Sequence, residues 1–217
     1  MTVETIREPA GTMMVLPPET MRSQEADHRV ANSLQLISSL LSLQARQASD
    51  ASVRDALGVA AHRIEAVGSI HRRLHQGGSP SSIDIAPYLF DLAHTIEQGF
   101  GGGSACRRVI AHVQGQMVPP GFASMLGIMI TELVINACKH AYAPGEPGDI
   151  QIRLLFPSRT QFRLEVRDFG GTANRRSSAA PGLGTAIINA MCSKLDATFT
   201  YLAGGGGTRF LASGMVQ

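Results

Sequence analysis

Three polar residues near the N-terminus fall on one face of a predicted helix. Glu25, His28 and Asn32 are spaced i, i+3 and i+7, so a helix places them in one line, turned away from its apolar residues. A neutral imidazole is a competent nucleophile near neutral pH, and a neighbouring carboxylate can orient it or accept its proton. His28 is therefore a candidate phosphoryl acceptor, with either Glu25 or Asp27 as its base. The alternative is an ordinary surface histidine.

A second polar line interrupts the most apolar stretch of the chain. Between Gly121 and Tyr142 the pattern predicts a buried helix, in which Glu132, Asn136 and His140 follow one another at i, i+4 and i+8. Burying such groups without partners costs several kcal/mol. They are therefore expected to face phosphates and a metal ion, although a solvated edge would also accommodate them. Asn136 is a suitable Mg²⁺ ligand, Glu132 can position a water or metal, and the adjacent Lys139 can neutralise phosphate.

Two glycine-containing segments follow. Asp168 ends a predicted strand with an alternating apolar pattern, and Gly170 lies two residues later. The Asp168 carboxylate could accept a hydrogen bond from an adenine amino group. Gly182 and Gly184 open a predicted helix, where free backbone amides favour an anion. A turn that leads into a helix would explain either segment without a ligand.

The elements that carry His28 are two predicted helices, at residues 20–47 and 51–76, separated by a short polar break. The first helix has one apolar stripe, made of Val30, Leu34, Ile37 and Leu41, and a second, made of Leu36, Leu40 and Leu43. A single hairpin cannot bury both stripes. The sequence therefore predicts a homodimer in which two hairpins form a four-helix bundle.

The remaining elements predict an α+β fold. Helices are expected at about 85–98, 121–142 and 183–195, and strands at 108–113, 149–156, 161–168, 199–201 and 208–212. This order indicates a sandwich with helices on one face of the sheet. The predicted organisation is a flexible tail (1–19), a dimerisation and phosphoacceptor hairpin (20–77), a linker (78–83) and a ligand-binding domain (84–217).

Composition excludes several classes of function. The net charge is +2 over 217 residues, which gives no electrostatic case for nucleic-acid binding. Three well-separated cysteines and no signal-peptide pattern predict a cytoplasmic protein. The most apolar window, Met125–Cys138, is too short for a membrane span. The short tail predicts that any sensor is a separate protein.

Taken in order, these segments resemble the histidine-kinase transmitter family. The stretch from Glu25 to Gln35, with its His-Arg-Val-Ala-Asn core, resembles the phosphoacceptor helix of one subfamily, and Arg63–Leu74 resembles its second helix. The later segments resemble a GHKL-type (Bergerat) ATP-binding domain. Its N box corresponds to Glu132–His140, and its glycine boxes to Asp168-Phe169-Gly170 and Gly182-Leu183-Gly184.

The resemblance implies an ATP-dependent kinase that phosphorylates His28 and then an aspartate of a response regulator's receiver domain. It also implies that Asn136 coordinates Mg²⁺, that Asp168 recognises adenine and that Thr208 assists Asp168. Thr172 stands where the first glycine box usually has a further glycine. This departure suggests an alternative, a phosphotransfer protein with a degenerate ATP-binding domain.

Overall fold

The computed structural model describes residues 18–75, 81–101, 107–143, 145–171 and 182–216. Within these ranges it describes the side chains of residues 29–72, 81–98, 107–143, 145–171 and 182–216. Residues 1–17 of the predicted tail and 78–80 of the predicted linker lie outside this description.

The N-terminal part is a helical hairpin. Helix α1 spans Pro18–Gln47 and helix α2 spans Ala51–His75. Asp50 ends the connection, because its carboxylate accepts hydrogen bonds from the Ser52 amide and hydroxyl at 2.7 and 2.8 Å. These bonds satisfy a donor at the start of α2 that has no partner within the helix. The bounds agree closely with the predicted helices.

The face that α1 turns toward α2 differs from the predicted stripe. Ala31, Ser38 and Ala45 are buried at a spacing of seven residues, whereas Val30 and Ile37 are 44% and 43% exposed. The prediction that Val30 and Ile37 belong to the hairpin core was therefore wrong. The small side chains allow the helices to approach closely, and each larger residue precedes a small one and is rotated away by about 100°.

The C-terminal part is a two-layer sandwich. Helices α3 (Ile85–Gly101), α4 (Pro120–His140) and α5 (Leu183–Lys194) pack together, with α3 and α4 lying against a five-stranded sheet. In chain order the strands are β1 (Ile83–Asp84), β2 (Arg107–Val113), β3 (Met117–Val118), β4 (Gly148–Ser158), β5 (Gln161–Asp168), β6 (Thr198–Gly204) and β7 (Gly207–Met215). The predicted class, a helical hairpin followed by a GHKL-type α/β sandwich, is confirmed.

The large sheet has the order β2-β4-β5-β7-β6. Strand β2 runs parallel to β4, and the other neighbouring strands are antiparallel. The parallel pair follows from its connection, because α4 crosses between the two strands as in a βαβ unit. A separate two-stranded sheet of β1 and β3, which was not predicted, begins the domain.

Helix α4 is the core helix of the domain. By length and composition it could cross a membrane, since its apolar window is longer than the predicted Met125–Cys138 stretch. Within the described part of the chain, however, 67% of that window is buried. The apolar surface of α4 is thus used for packing inside the sandwich.

The sheet buries one face against α3 and α4 and exposes the other. Along β4, Ile150, Ile152 and Leu154 are almost fully buried, whereas Arg153 and Leu155 face the opposite side. This alternation follows from the two-residue period of a strand.

Two adjacent leucines of β4 provide a matched test of this packing. Leu154→Ala should lower the free energy of unfolding by about 2–5 kcal/mol, because it leaves a cavity in the core. Leu155→Ala, at a position that is 46% exposed, should lower it by less than about 1 kcal/mol. Urea denaturation of both variants measures the difference. Equal losses would contradict the assignment of the buried face.

Candidate functional site

Helix α4 carries the longest run of candidate site residues. It begins at consecutive prolines, with Pro119 at the N-cap and Pro120 in the first turn, where a missing amide proton costs nothing. Glu132 is buried and Asn136, one turn later, is half-buried. The predicted polar line therefore enters the interior of the protein at its N-terminal end.

The same line reaches solvent at the end of α4. Lys139 and His140 are exposed in the last turn of the helix. Although His140 is exposed overall, partial desolvation of its imidazole lowers its pKa, and the positive charge of Lys139 lowers the pKa further. At neutral pH the imidazole is therefore neutral, and Lys139 is the cation at this end.

The buried carboxylate of Glu132 has a partner that sequence reasoning did not identify. Arg63 of α2 donates to Glu132 Oε2 from both Nε, at 3.0 Å, and Nη2, at 2.7 Å. Glu132 is only 3% exposed, so the guanidinium supplies the countercharge that its burial requires. The sequence predicted polar surroundings for Glu132, but it did not predict an arginine from the helical hairpin.

The second glycine segment lies directly against this pair. A methyl group on Gly184 would be 2.8 Å from Glu132 Oε2 and 3.2 Å from Asn136 Oδ1. Gly182 is the N-cap of α5, and no side chain among the described residues caps it. The first amides of α5, which have no acceptor within the helix, therefore lie near the Asn136 side chain.

Asp168 forms a second cluster at the end of β5. Its Oδ1 accepts hydrogen bonds from the backbone amides of Gly170, at 3.1 Å, and Thr208, at 3.0 Å. The residue is buried, and neither of these hydrogen bonds uses Oδ2. Thr208 therefore contacts Asp168 through its backbone amide.

Glycines allow the chain to pass close to Asp168. A methyl group on Gly170 would overlap the Ala141 carbonyl at the end of α4. Gly207 has a φ of 109°, and a methyl group there would overlap the Asp168 carbonyl. Both positions therefore require glycine, Gly170 for space and Gly207 for space and conformation.

Tyr142 joins the start of β4 to the end of β5, the strand that carries Asp168. Its hydroxyl donates to the Asp149 carbonyl and accepts from the Phe169 amide at 3.0 Å. Partial burial raises the pKa of Tyr142, so the hydroxyl stays protonated and keeps its donor. Tyr142 was not a predicted site residue, because its role depends on contacts between strands.

The predicted residues thus form two clusters and one separate set. Glu132, Asn136 and Gly184 meet at the start of α5, and Asp168 meets Gly170 and Thr208. Asn32 is exposed on α1 and contacts neither cluster. Glu25 and His28 lie in the α1 helix, but their side chains are outside the described set.

The clusters suit a nucleotide with a divalent cation. The described residues contain no group of three or more His, Cys, Asp or Glu side chains that could enclose a metal ion. Mg²⁺, however, commonly takes one or two protein ligands and completes its shell with phosphate oxygens and water. Asn136 beside the Gly184 cradle fits this requirement.

Comparison with known proteins assigns both halves of the chain. Residues 25–100 match a family model described as "Histidine kinase", and residues 103–209 match one described as "Histidine kinase-like ATPase domain". In structure, the chain is similar to the histidine kinase domain of the blue-light-activated kinase EL346 of Erythrobacter litoralis. The TM-score is 0.64 at 23% identity, over 92% of this chain and 95% of that one.

Two curated relatives are longer proteins. Blue-light-activated histidine kinase 2 of Erythrobacter litoralis is 28% identical over 190 residues, which cover 85% of this chain and 54% of that one. Sensor histidine kinase PdtaS of Mycobacterium tuberculosis is 33% identical over 139 residues, 60% of this chain and 26% of that one. The chain therefore spans about half or less of the length of these relatives.

Adjacent glycines test the turn at Asp168. Gly170→Ala should lower the free energy of unfolding by about 1–3 kcal/mol, because the new methyl group would force the Ala141 backbone to move. Gly171→Ala should have little effect, since, apart from its chain neighbours, no atom of the described residues lies within 4 Å of the position that its methyl group would take. Thermal unfolding of both variants gives the comparison. Tolerance of Gly170→Ala would argue against the close contact between this turn and α4.

Proposed function

Because this chain belongs to the histidine kinase family, we propose that it transfers the γ-phosphoryl group of ATP to His28 and then to an aspartate of a response regulator. The observation that carries this proposal is the meeting of Glu132, Asn136 and Gly184 at the start of α5. Together these groups could bind a nucleoside triphosphate: the amides of α5 would face the phosphates, the Asn136 amide oxygen would hold Mg²⁺, and Glu132 would position a water or the metal.

Asp168 is proposed to recognise the adenine base. Its Oδ1 is held by the amides of Gly170 and Thr208, which orients Oδ2 toward a ligand. A carboxylate oxygen accepts a hydrogen bond from the adenine amino group and would repel a carbonyl at that position. Such a contact favours adenine over guanine.

The phosphates are assigned to the other cluster, that of Glu132, Asn136 and Gly184. The amides of the Gly182–Gly184 segment at the start of α5 favour negative charge, and Lys139 and His140 provide further donors at the end of α4. The Asn136 amide oxygen would hold Mg²⁺, which neutralises charge on the phosphates when it is bound. Glu132 is assigned to position a water or the metal.

The transfer step requires the imidazole of His28 as the nucleophile. One ring nitrogen forms a bond to the γ-phosphorus, the bond between that phosphorus and the bridging oxygen breaks, and ADP leaves. The proton on the other nitrogen passes to a base, for which Glu25 and Asp27 are the candidates, and Asn32 lies on the same helix face. In the second step a receiver-domain aspartate takes the phosphoryl group from His28.

The active form is proposed to be a cytoplasmic homodimer. Leu36, Leu40 and Leu43 form an exposed apolar stripe on α1, and Val30 and Ile37 widen it. A second hairpin would cover this surface and give a four-helix bundle.

Incubation of the purified chain with Mg²⁺ and γ-labelled ATP tests the kinase. The protein should acquire acid-labile label that falls to background in His28→Ala, because the acceptor nitrogen is lost. Asn136→Ala should reduce the initial rate by about tenfold or more, since a metal ligand is removed. His112→Ala, which changes an exposed histidine on β2, should label normally.

Two results would contradict the proposal. Label that persists in His28→Ala would place the acceptor elsewhere. Failure of the chain to bind ATP, together with labelling of His28 by a phosphorylated receiver domain, would support the alternative phosphotransfer function.

The dimer is tested by a charge in the exposed stripe. Leu40→Asp should raise the dimer dissociation constant by about tenfold or more, because a carboxylate would be buried in an apolar interface. Leu202→Asp, at a similarly exposed position on β6, should leave it unchanged. Sedimentation velocity over a concentration series measures both. If both variants remain dimers, the interface lies elsewhere.

A further inference from the structure

The helical hairpin docks on the sandwich through α2. Ala66 and Ile70 of α2 are part of the same buried core as α3 and α4. Ile70 lies near Gly127, where an added methyl group would be 3.1 Å from its Cδ1, and Arg63 contacts Glu132. Residue numbers thus fall along α2 as they rise along α4, so the two helices are antiparallel.

The docked arrangement occupies Glu132. Both contacts of the Arg63 guanidinium fall on Glu132 Oε2. The Glu132 side chain is 4% exposed and that of Arg63 is 22% exposed, so solvent screens this ion pair only weakly. Arg63 therefore offsets the negative charge that Glu132 would present to a metal ion, and it ties this carboxylate to α2.

The docked arrangement also places the cluster of Glu132, Asn136 and Gly184 away from His28, the proposed phosphoryl acceptor. The Ser38 hydroxyl bonds to the Ala61 carbonyl, and Leu34 packs at Gly68. Arg63 is therefore level with residues 36–37 of α1, about nine residues or ~13 Å along the helix axis from His28. Reaction requires the attacking nitrogen and the phosphorus to be about 3–3.5 Å apart.

The direction of α4 increases this separation. Because α4 is antiparallel to α2, Asn136 lies further from the level of His28 than Glu132 does. In a bundle whose twofold axis runs along the helices, the second His28 is at the same height as the first. The axial separation therefore remains whichever protomer accepts the phosphoryl group.

From these two observations we infer that Arg63 acts as a latch: its ion pair with Glu132 holds the ATP-binding domain on α2 in an arrangement that cannot transfer phosphate. Release of Glu132 by Arg63 frees the domain to move toward His28. The inference rests on the proposed kinase function, and it assigns to α2 a regulatory role at the nucleotide site.

Autophosphorylation of the full chain tests the latch. Arg63→Gln should raise the initial labelling rate by about three- to tenfold, because it increases the fraction of molecules in a competent arrangement. Arg63→Lys should remain near the rate of the unaltered protein, since a lysine can still pair with Glu132. Arg46→Gln, an exposed arginine of α1, is the matched control and should not change the rate.

Hydrogen exchange provides a readout that does not depend on activity. Amides of α2 between Ala61 and Ile70 should exchange faster in Arg63→Gln, because this segment leaves its docking surface more often. Glu132→Gln should accelerate exchange in the same segment even though it is expected to label poorly. Melting temperatures show whether either variant is simply unfolded.

The possible outcomes separate the latch from the kinase proposal. A slower or unchanged labelling rate in folded Arg63→Gln would overturn the latch while leaving the kinase intact. If neither the unaltered chain nor Arg63→Gln acquires label, the kinase proposal fails. Unchanged exchange in both variants would independently exclude the latch.

Discussion

The burial of one carboxylate governs the relation between the two halves of this protein. Glu132 lies inside α4, where a negative charge is tolerated only with a countercharge and hydrogen bonds. Arg63 supplies both from a different part of the chain. The contact between α2 and the sandwich therefore rests on an ion pair as well as on apolar packing. The same Glu132 carboxylate is also the group that we propose to position a water or the metal.

The close approach of backbone segments around Asp168 is the second constraint on this fold. Asp168 is held by two amides, and the segments that supply them can approach only because Gly170 and Gly207 lack side chains. Tyr142 fixes the neighbouring strand ends. The Asp168 carboxylate is thus oriented mainly by main-chain groups, whose positions the sheet determines. The contacts of Asp168 thus lie within the sandwich, whereas the ion pair of Glu132 also depends on the docking of α2.

The sequence predicted what local periodicity encodes. The alternating pattern of β5 placed Asp168 at the end of a strand, and the apolar helix pattern placed Glu132 inside the protein. It did not predict Arg63 as a partner, because the two residues are 69 positions apart and meet only through docking. The prediction of the hairpin core was also wrong for Val30 and Ile37. A search for hydrophobic stripes selects large apolar residues, whereas the small residues Ala31 and Ser38 are the ones buried in the hairpin.

The parallel pairing of β2 with β4 has a consequence for how the chain assembles. Strands β4 and β5 meet across a two-residue turn at 159–160, whereas residues 114–147, including α4, separate β2 from β4. Closing the longer connection costs more chain entropy, so we expect the β4–β5 hairpin to form before β2 pairs with β4. During synthesis on the ribosome, β2 emerges first but has no neighbour in the large sheet until β4 follows it, and its unpaired edge is exposed to other nascent chains in that interval.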